Sequence, residues 1–149
     1  MFIYYIMAVE ILPRLWIGKN ASIAEDIHFF RSNNIRYVVN LTHDVDNYFK
    51  NVTYLNISLT QNIDEKKLKV SMNQLFDVVN QFITRGYYHN VGILIHDVSG
   101  KLALMFGCAF LMQKLNLSYP EALSYISYYT EYNIDYIINN PFLFKFNTI

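Results

Sequence analysis

One cysteine, three prolines, five glycines and a single tryptophan stand among 149 residues, and only 16% of the side chains are charged. A lone thiol excludes an internal disulfide and fits a reducing compartment, so the expected location is cytoplasmic. Twelve basic residues face twelve acidic ones, with no lysine or arginine cluster anywhere. Such a chain has no electrostatic attraction to nucleic acid or to an acidic membrane, and neither is expected as a partner. Internal repeats, low-complexity tracts and linkers are also absent from the sequence. The one apolar opening, residues 1–9, is ended by Glu10. It is much shorter than the roughly 20 residues that span a bilayer, and it lacks the basic start and small-residue cleavage site of a signal peptide.

What is there is a hydrophobic chain, 53% apolar, of a length that suits one domain with a real core. A domain of this size buries about two thirds of its unfolded surface. Residues 11–149 are taken as that domain and residues 1–10 as an apolar N-terminal segment, either a strand or a contact with a partner. Phe2, Tyr4 and Tyr5 would be costly to leave in water, so a second copy, giving a homodimer, or another protein is a natural cover for them.

Periodicity yields alternating helices and strands. Residues 21–32 read as a helix with Ile23, Ile27 and Phe30 on one face, followed by the Asn33-Asn34 turn and a buried strand over 37–41. From 65 to 85, apolar residues recur at Leu68, Met72, Leu75, Phe76, Val79, Phe82 and Ile83, and Gly86 follows as a stop. Ser118 and Glu121 have capping-box spacing and start a helix through about Tyr129. Pro141 after Asn140 opens a short last helix. Helix alternating with strand is the α/β pattern.

The most informative stretch is residues 96–103, His-Asp-Val-Ser-Gly-Lys-Leu-Ala. It follows the apolar run 91–95, with Gly92 inside it, and precedes the helical segment 102–115. A strand, tight loop and helix in that order aim backbone N–H groups and the positive end of a helix at one point, as phosphate sites do. The junction resembles that of the cysteine-dependent protein tyrosine phosphatases, the dual-specificity branch in particular, which carry His-Cys, two residues, Gly, two residues and Arg. His96 and Gly100 stand at matching places, but Asp97 takes the nucleophile's position and Ala103 the arginine's. Residues 11–18 resemble the opening strand of these phosphatases, 36–42 their second strand, 54–61 the strand leading to the general-acid loop, and 139–142 the start of the last helix.

The resemblance implies an α/β dual-specificity phosphatase-like fold, with a central, mostly parallel twisted sheet flanked by helices. It places Gln61 where the family has its general-acid aspartate, with Asn62 adjacent and Asp64 slightly beyond. A carboxamide cannot deliver a proton at neutral pH. Residues 37–42 and Asn140-Pro141 are also similar to poxviral phosphatases. With a composition rich in Ile, Asn, Tyr, Phe and Lys, the bias of an AT-rich genome, this suggests a large DNA virus as the source, acting in host cytoplasm or virion.

The residues themselves argue against phosphatase chemistry. A cysteine phosphatase needs a thiolate stabilised by helix-end amides, whereas Asp97 is a poorer nucleophile and brings its own negative charge to the phosphate's place. Two unit charges about 4 Å apart repel by roughly 4 kcal/mol at an effective dielectric of about 20. Without the arginine, the bidentate clamp and the charge that steadies the transition state are gone. His96, Asp97, Val98, Ser99, Gly100, Lys101, Leu102 and Ala103 therefore read as a degenerate phosphate-binding loop, in which Asp97 accepts the loop amides. Lys101 either pairs with Asp97 or points into water.

The expectation is a pseudophosphatase that binds another protein independently of phosphate, with no catalytic residue, metal or cofactor. The alternative is altered chemistry, with Asp97 as a carboxylate nucleophile or holding Mg²⁺ with Asp64. Elsewhere, Cys108 lies in an apolar run and reads as core, and His96 as an orderer of the loop through hydrogen bonds, a role the resemblance implies. His28, His43 and His89 are scattered, and His43-Asp44-Val45-Asp46 reads as a solvated loop before a cation site. Tyr125, Tyr128, Tyr129, Tyr132 and Tyr136 either form an aromatic partner surface or complete the core.

Overall fold

Strands of the computed structural model, which describes residues 7–60, 62–130, 132, 134–135 and 137–146, form where β-branched and aliphatic residues run together. They are Ala8–Leu12 (β1), Leu15–Gly18 (β2), Ile35–Asn40 (β3), Thr53–Asn56 (β4) and Gly92–His96 (β5). The sheet order is β1-β2-β5-β3-β4. Only β1 runs antiparallel to its neighbour; β2, β5, β3 and β4 are parallel. All five residues of β5 are buried, as a central parallel strand covered on both faces must be. Its register with β3 sets Val39 opposite Ile95 and Asn40 opposite His96, which brings two strand ends level beneath one loop.

The expected opening strand over 11–18 is instead a hairpin. Arg14 adopts a positive φ of 71° after Pro13, and its N–H donates to the Glu10 carboxylate at 2.9 Å, closing the turn between β1 and β2. β1 begins at Ala8, so the last residues of the apolar N-terminal segment are an edge strand; residues 1–6 lie outside the described residues.

The helices are Ile27–Ser32 (α1), Met72–Tyr88 (α2), Lys101–Lys114 (α3), Tyr119–Thr130 (α4) and Pro141–Lys145 (α5). The helix expected over 21–32 is broken at Asp26. Ala21–Glu25 is a 3-10 turn, Asp26 is extended at φ −82° and ψ 96°, and its carboxylate caps α1 through the Phe29 N–H at 3.0 Å. The break turns Phe29 and Phe30 inward and leaves Ile27 at the surface. Likewise, the helix expected over 65–85 starts only at Met72. Ser71 and Gln74 form a reciprocal capping box there, and Glu65–Lys67 is a separate 3-10 turn. Gly86 does not stop α2. It faces the sheet where a Cβ would come within 2.6 Å of Ile93 Cγ1, so its smallness serves close packing and the helix runs on to Tyr88.

Both faces of the sheet are covered. Trp16, Ile23, Phe29, Phe30, Val38 and Leu94 pack on the side of α1. The larger core gathers the other face with α2, α3, α4 and α5. Every residue of α3 from Leu102 to Met112 is buried, because sheet and helices surround it. The predicted caps of the last two helices are present. Ser118 N–H donates to Glu121 Oε1 at 2.9 Å and Glu121 N–H to Ser118 Oγ at 3.3 Å, while Asn140 Oδ1 accepts from Phe142 and Leu143. Among the described residues no helix is long and apolar enough to cross a membrane.

Candidate functional site

β5 delivers the chain into residues 97–100 at the carboxyl end of the parallel strands, the end at which open α/β sheets form their crevices. Gly100 turns the chain into α3 with φ 91°, and a Cβ there would meet the Gly18 carbonyl oxygen at 2.8 Å. Only glycine suits both demands. The N–H groups of the loop and of the first turn of α3 then converge, and Asp97 fills the point of convergence.

Asp97 is 2% exposed. Its Oδ1 accepts the Gly100 N–H at 2.6 Å and its Oδ2 the Leu102 N–H at 3.2 Å. Burial raises its carboxyl above the usual range, and the amides of Leu102, Gly100, Ala103 and Ser99 pull against that rise. The loop amides thus point at a side chain of their own loop, in the manner the sequence suggests.

The neighbours complete the picture. Ala103 is fully buried in the first turn of α3 and brings only a methyl group. Lys101 is on the exposed side of that turn, Val98 is half exposed, and Ser99 Oγ accepts the Lys101 N–H at 3.4 Å. His96 is completely buried, and neither ring nitrogen has a hydrogen-bond partner among the described residues. Burial pushes its imidazole down to about 4, opposed only by a weak polar contact with the Asp97 backbone. The structural role expected of His96 rests on packing and on its backbone, with no ring hydrogen bond of good geometry among the described residues. The side chain packs on Gly18, where an added Cβ would lie 3.0 Å from His96 Cβ. It is the backbone of His96 that bonds outward, its carbonyl accepting the Leu41 N–H at 2.9 Å.

A cavity of about 270 Å³ opens beside Asp97. Val98 and Leu102 line it with Asp97; Thr42, His43 and Asp44 enter from the end of β3, and Leu59 and Thr60 from the segment after β4. Asn40 holds the first wall. Its Nδ2 donates to the Val45 carbonyl at 2.8 Å and to Asn47 Oδ1 at 3.0 Å, and its Oδ1 accepts the Thr42 N–H at 3.1 Å. His43 and Asp44 approach to 3.3 Å, about two-thirds exposed. The solvated loop expected at 43–46 is thus also a rim of the cavity. Its position just after a parallel strand was the available signal.

Other candidates are dispersed. Asp64 caps the turn Glu65–Lys67 by accepting the Lys66 N–H at 3.1 Å and lines a neighbouring cavity of about 300 Å³ with Asn62, not the one at Asp97. Gln61 lies outside the described residues. No group of three His, Cys, Asp or Glu residues comes together as a metal site among the described residues, and Asp97 and Asp64 do not share a cavity. Cys108 is buried, and burial pushes its thiol up to about 12. His28 and His89 are exposed on separate elements. The tyrosines divide: Tyr132 is buried, Tyr125 half-buried, and Tyr128 and Tyr129 exposed, with Tyr136 outside the described residues.

No family model matches the chain. Human "Dual specificity protein phosphatase 6" is 30% identical over 118 residues, which cover 76% of this chain and 29% of that protein. Human "Dual specificity protein phosphatase 9" is 28% identical over a stretch of the same length. The chain thus spans less than a third of the length of these curated relatives. Among solved structures, human DUSP28 matches with a TM-score of 0.73 at 15% identity, over 92% of this chain and 87% of that one. A human tyrosine phosphatase-like serine/threonine/tyrosine-interacting protein matches with a TM-score of 0.69 at 20% identity, over 81% of this chain and 82% of that one. At such identities these structures speak to the fold alone. With one antiparallel edge on an otherwise parallel five-stranded sheet, helices on both faces and a strand-loop-helix junction at Asp97, the chain has the dual-specificity phosphatase-like fold.

Proposed function

We propose that this protein is a pseudophosphatase, a phosphatase-fold domain that binds another protein as a scaffold or competitor without using phosphate. The carrying observation is the occupation of the loop amides by Asp97, through Gly100 and Leu102. An incoming phosphate would have to break those bonds and approach a buried carboxyl group, with Ala103 offering no guanidinium in return. Nothing about Asp97 favours nucleophilic attack, since both its oxygens already accept hydrogen bonds. One solved neighbour is itself named a phosphatase-like interacting protein, the same pairing of fold and binding proposed here. The proposed setting is the cytoplasm, host cytoplasm or virion if the source is a large DNA virus, with self-association through the apolar N-terminal segment as one mode of contact.

The test is hydrolysis of an aryl phosphate by purified protein, with and without Mg²⁺. The expected result is no turnover above buffer in either case. Turnover abolished by Asp97→Ala would overturn the reading, and turnover that needs Mg²⁺ and disappears with chelator would replace it by metal-dependent chemistry. A second arm compares one peptide in phosphorylated and plain forms: equal affinities are expected, and a strong preference for the phosphorylated form would make the protein a phosphosite reader.

A further inference from the structure

Helix geometry alone lines up Glu121, Tyr125 and Tyr129, each four residues after the last, with Tyr128 beside them on the same outward stripe of α4. The opposite stripe, Tyr119, Ala122, Leu123 and Ile126, is buried in the core. The outward stripe and the chain just before the helix line a wide, shallow groove, open to solvent, whose sides include Leu117, Pro120, Glu121, Tyr125, Tyr128 and Tyr129. It shares no lining residue with the cavity at Asp97.

Three features of the groove fix the chemistry of an occupant. Its rings form an exposed cluster: Tyr125 and Tyr129 lie 4.5 Å apart between centroids at 39°, and Tyr128 meets Tyr129 edge-on at 4.8 Å. Tyr128 is 80% exposed and Tyr129 66%, an uncommon placement for adjacent large aromatics. Of the described residues that line the groove, the one charged group is a carboxylate, Glu121, whose hydrogen bonds with Ser118 hold its carboxyl below the usual range. Aromatic faces present negative potential, and here an anion is added to them with no lysine or arginine among the described lining residues to neutralise it.

We infer that this groove receives an arginine side chain of a protein partner, stacked on the exposed ring of Tyr128 beside Tyr129, with its guanidinium toward Glu121. Arginine fits better than lysine because its planar, weakly hydrated head stacks on aromatic rings and leaves water more readily than an ammonium. The Leu117 and Pro120 walls suit an apolar residue beside it. The inference deepens the protein-binding reading by naming the partner's chemistry, and the two can fail separately. Aryl phosphate turnover would sink the dead site and leave the groove, whereas an unresponsive groove would leave the inert loop.

The experiment uses the full chain with ¹³C-labelled tyrosine rings, titrated with blocked leucyl-arginyl-leucine amide and its lysine- and norleucine-centred counterparts. Saturable shifts of the Tyr125, Tyr128 and Tyr129 rings are expected, with the arginine peptide bound about fivefold more tightly than the norleucine one. Glu121→Gln should weaken arginine binding about threefold and leave norleucine binding unchanged. That variant keeps its cap, because Gln74 serves in the same role at the start of α2. The double variant Tyr128→Ala, Tyr129→Ala, at exposed positions, should abolish the response. Absence of saturable shifts, equal binding of all three peptides, or concentration-dependent burial of these rings against a second copy would each overturn the inference.

Discussion

His96 shows how much one residue's surroundings decide. An ordinary histidine titrates near 6.5, and complete burial without a ring partner among the described residues holds this one down at about 4. The sign of the consequence follows from proton uptake. Below pH 6.5 the unfolded chain binds a proton at residue 96 that the folded chain refuses until about pH 4, so stability is full above 6.5 and falls as pH drops through that window. Between pH 6.5 and 5 the loss is about 2 kcal/mol. Asp97, whose carboxyl is raised, acts in the opposite direction over its own window, since the folded form takes up its proton first. The measurement that isolates the histidine is therefore a comparison of urea midpoints at pH 7 and pH 5 for the wild type and His96→Leu. The wild type should lose about 2 kcal/mol more than the variant over that step, and equal losses would remove the histidine from the account. At this scale the positions of His96 and Asp97 in the loop are legible in the sequence but the state of either is not, because a ring's partners and a carboxyl's burial are made by distant residues such as Gly18 and Leu41.

At the scale of elements, boundaries were legible where the signal is local chemistry. The boxes at Ser118 with Glu121 and at Asn140 before Pro141 act within four residues, and both helices begin where those residues say. Apolar periodicity was less trustworthy. Leu68 falls in phase with Met72 and Leu75, yet it belongs to an extended segment, and the helix waits for the stronger box at Ser71 and Gln74. That box carries a prediction: Ser71→Ala should destabilise the protein by about 1 kcal/mol, read from denaturant midpoints, because the Gln74 N–H loses its acceptor at 3.2 Å. An unchanged midpoint would mean that packing of Met72 and Phe76 alone sets the start of α2. Gly86 misled for a related reason. Glycine ends helices when it takes a left-handed φ, but it also lets a helix approach a sheet, and only the neighbouring Ile93 tells which use applies.

For the whole molecule, one sheet carries a core on each face, and α3 runs buried through the larger of them. No layer can leave without exposing the strands that support the other, so unfolding should be cooperative. Near-ultraviolet and far-ultraviolet circular dichroism should give coincident urea transitions, and a separate early loss of the tryptophan signal would show that the Trp16 face unfolds alone. The same architecture holds the loop at residues 97–100 in shape: Gly18, the ends of β3 and β5, and the first turn of α3 all fix it. The frame is a consequence of packing.

By itself the sequence determined the fold class, the strand-loop-helix junction and the residue types at its key positions, since alternation of elements, helix caps and the spacing from His96 to Ala103 are properties of nearby residues. Tertiary structure alone decided that Asp97 is buried, that His96 goes without a ring partner among the described residues, that Asn40 bends residues 41–47 into a cavity wall, and that Tyr128 and Tyr129 face outward while Tyr132 faces in. The reason is range: caps and periodicity act over a turn or two of chain, whereas burial and convergence depend on which distant strands and helices come to lie against one another.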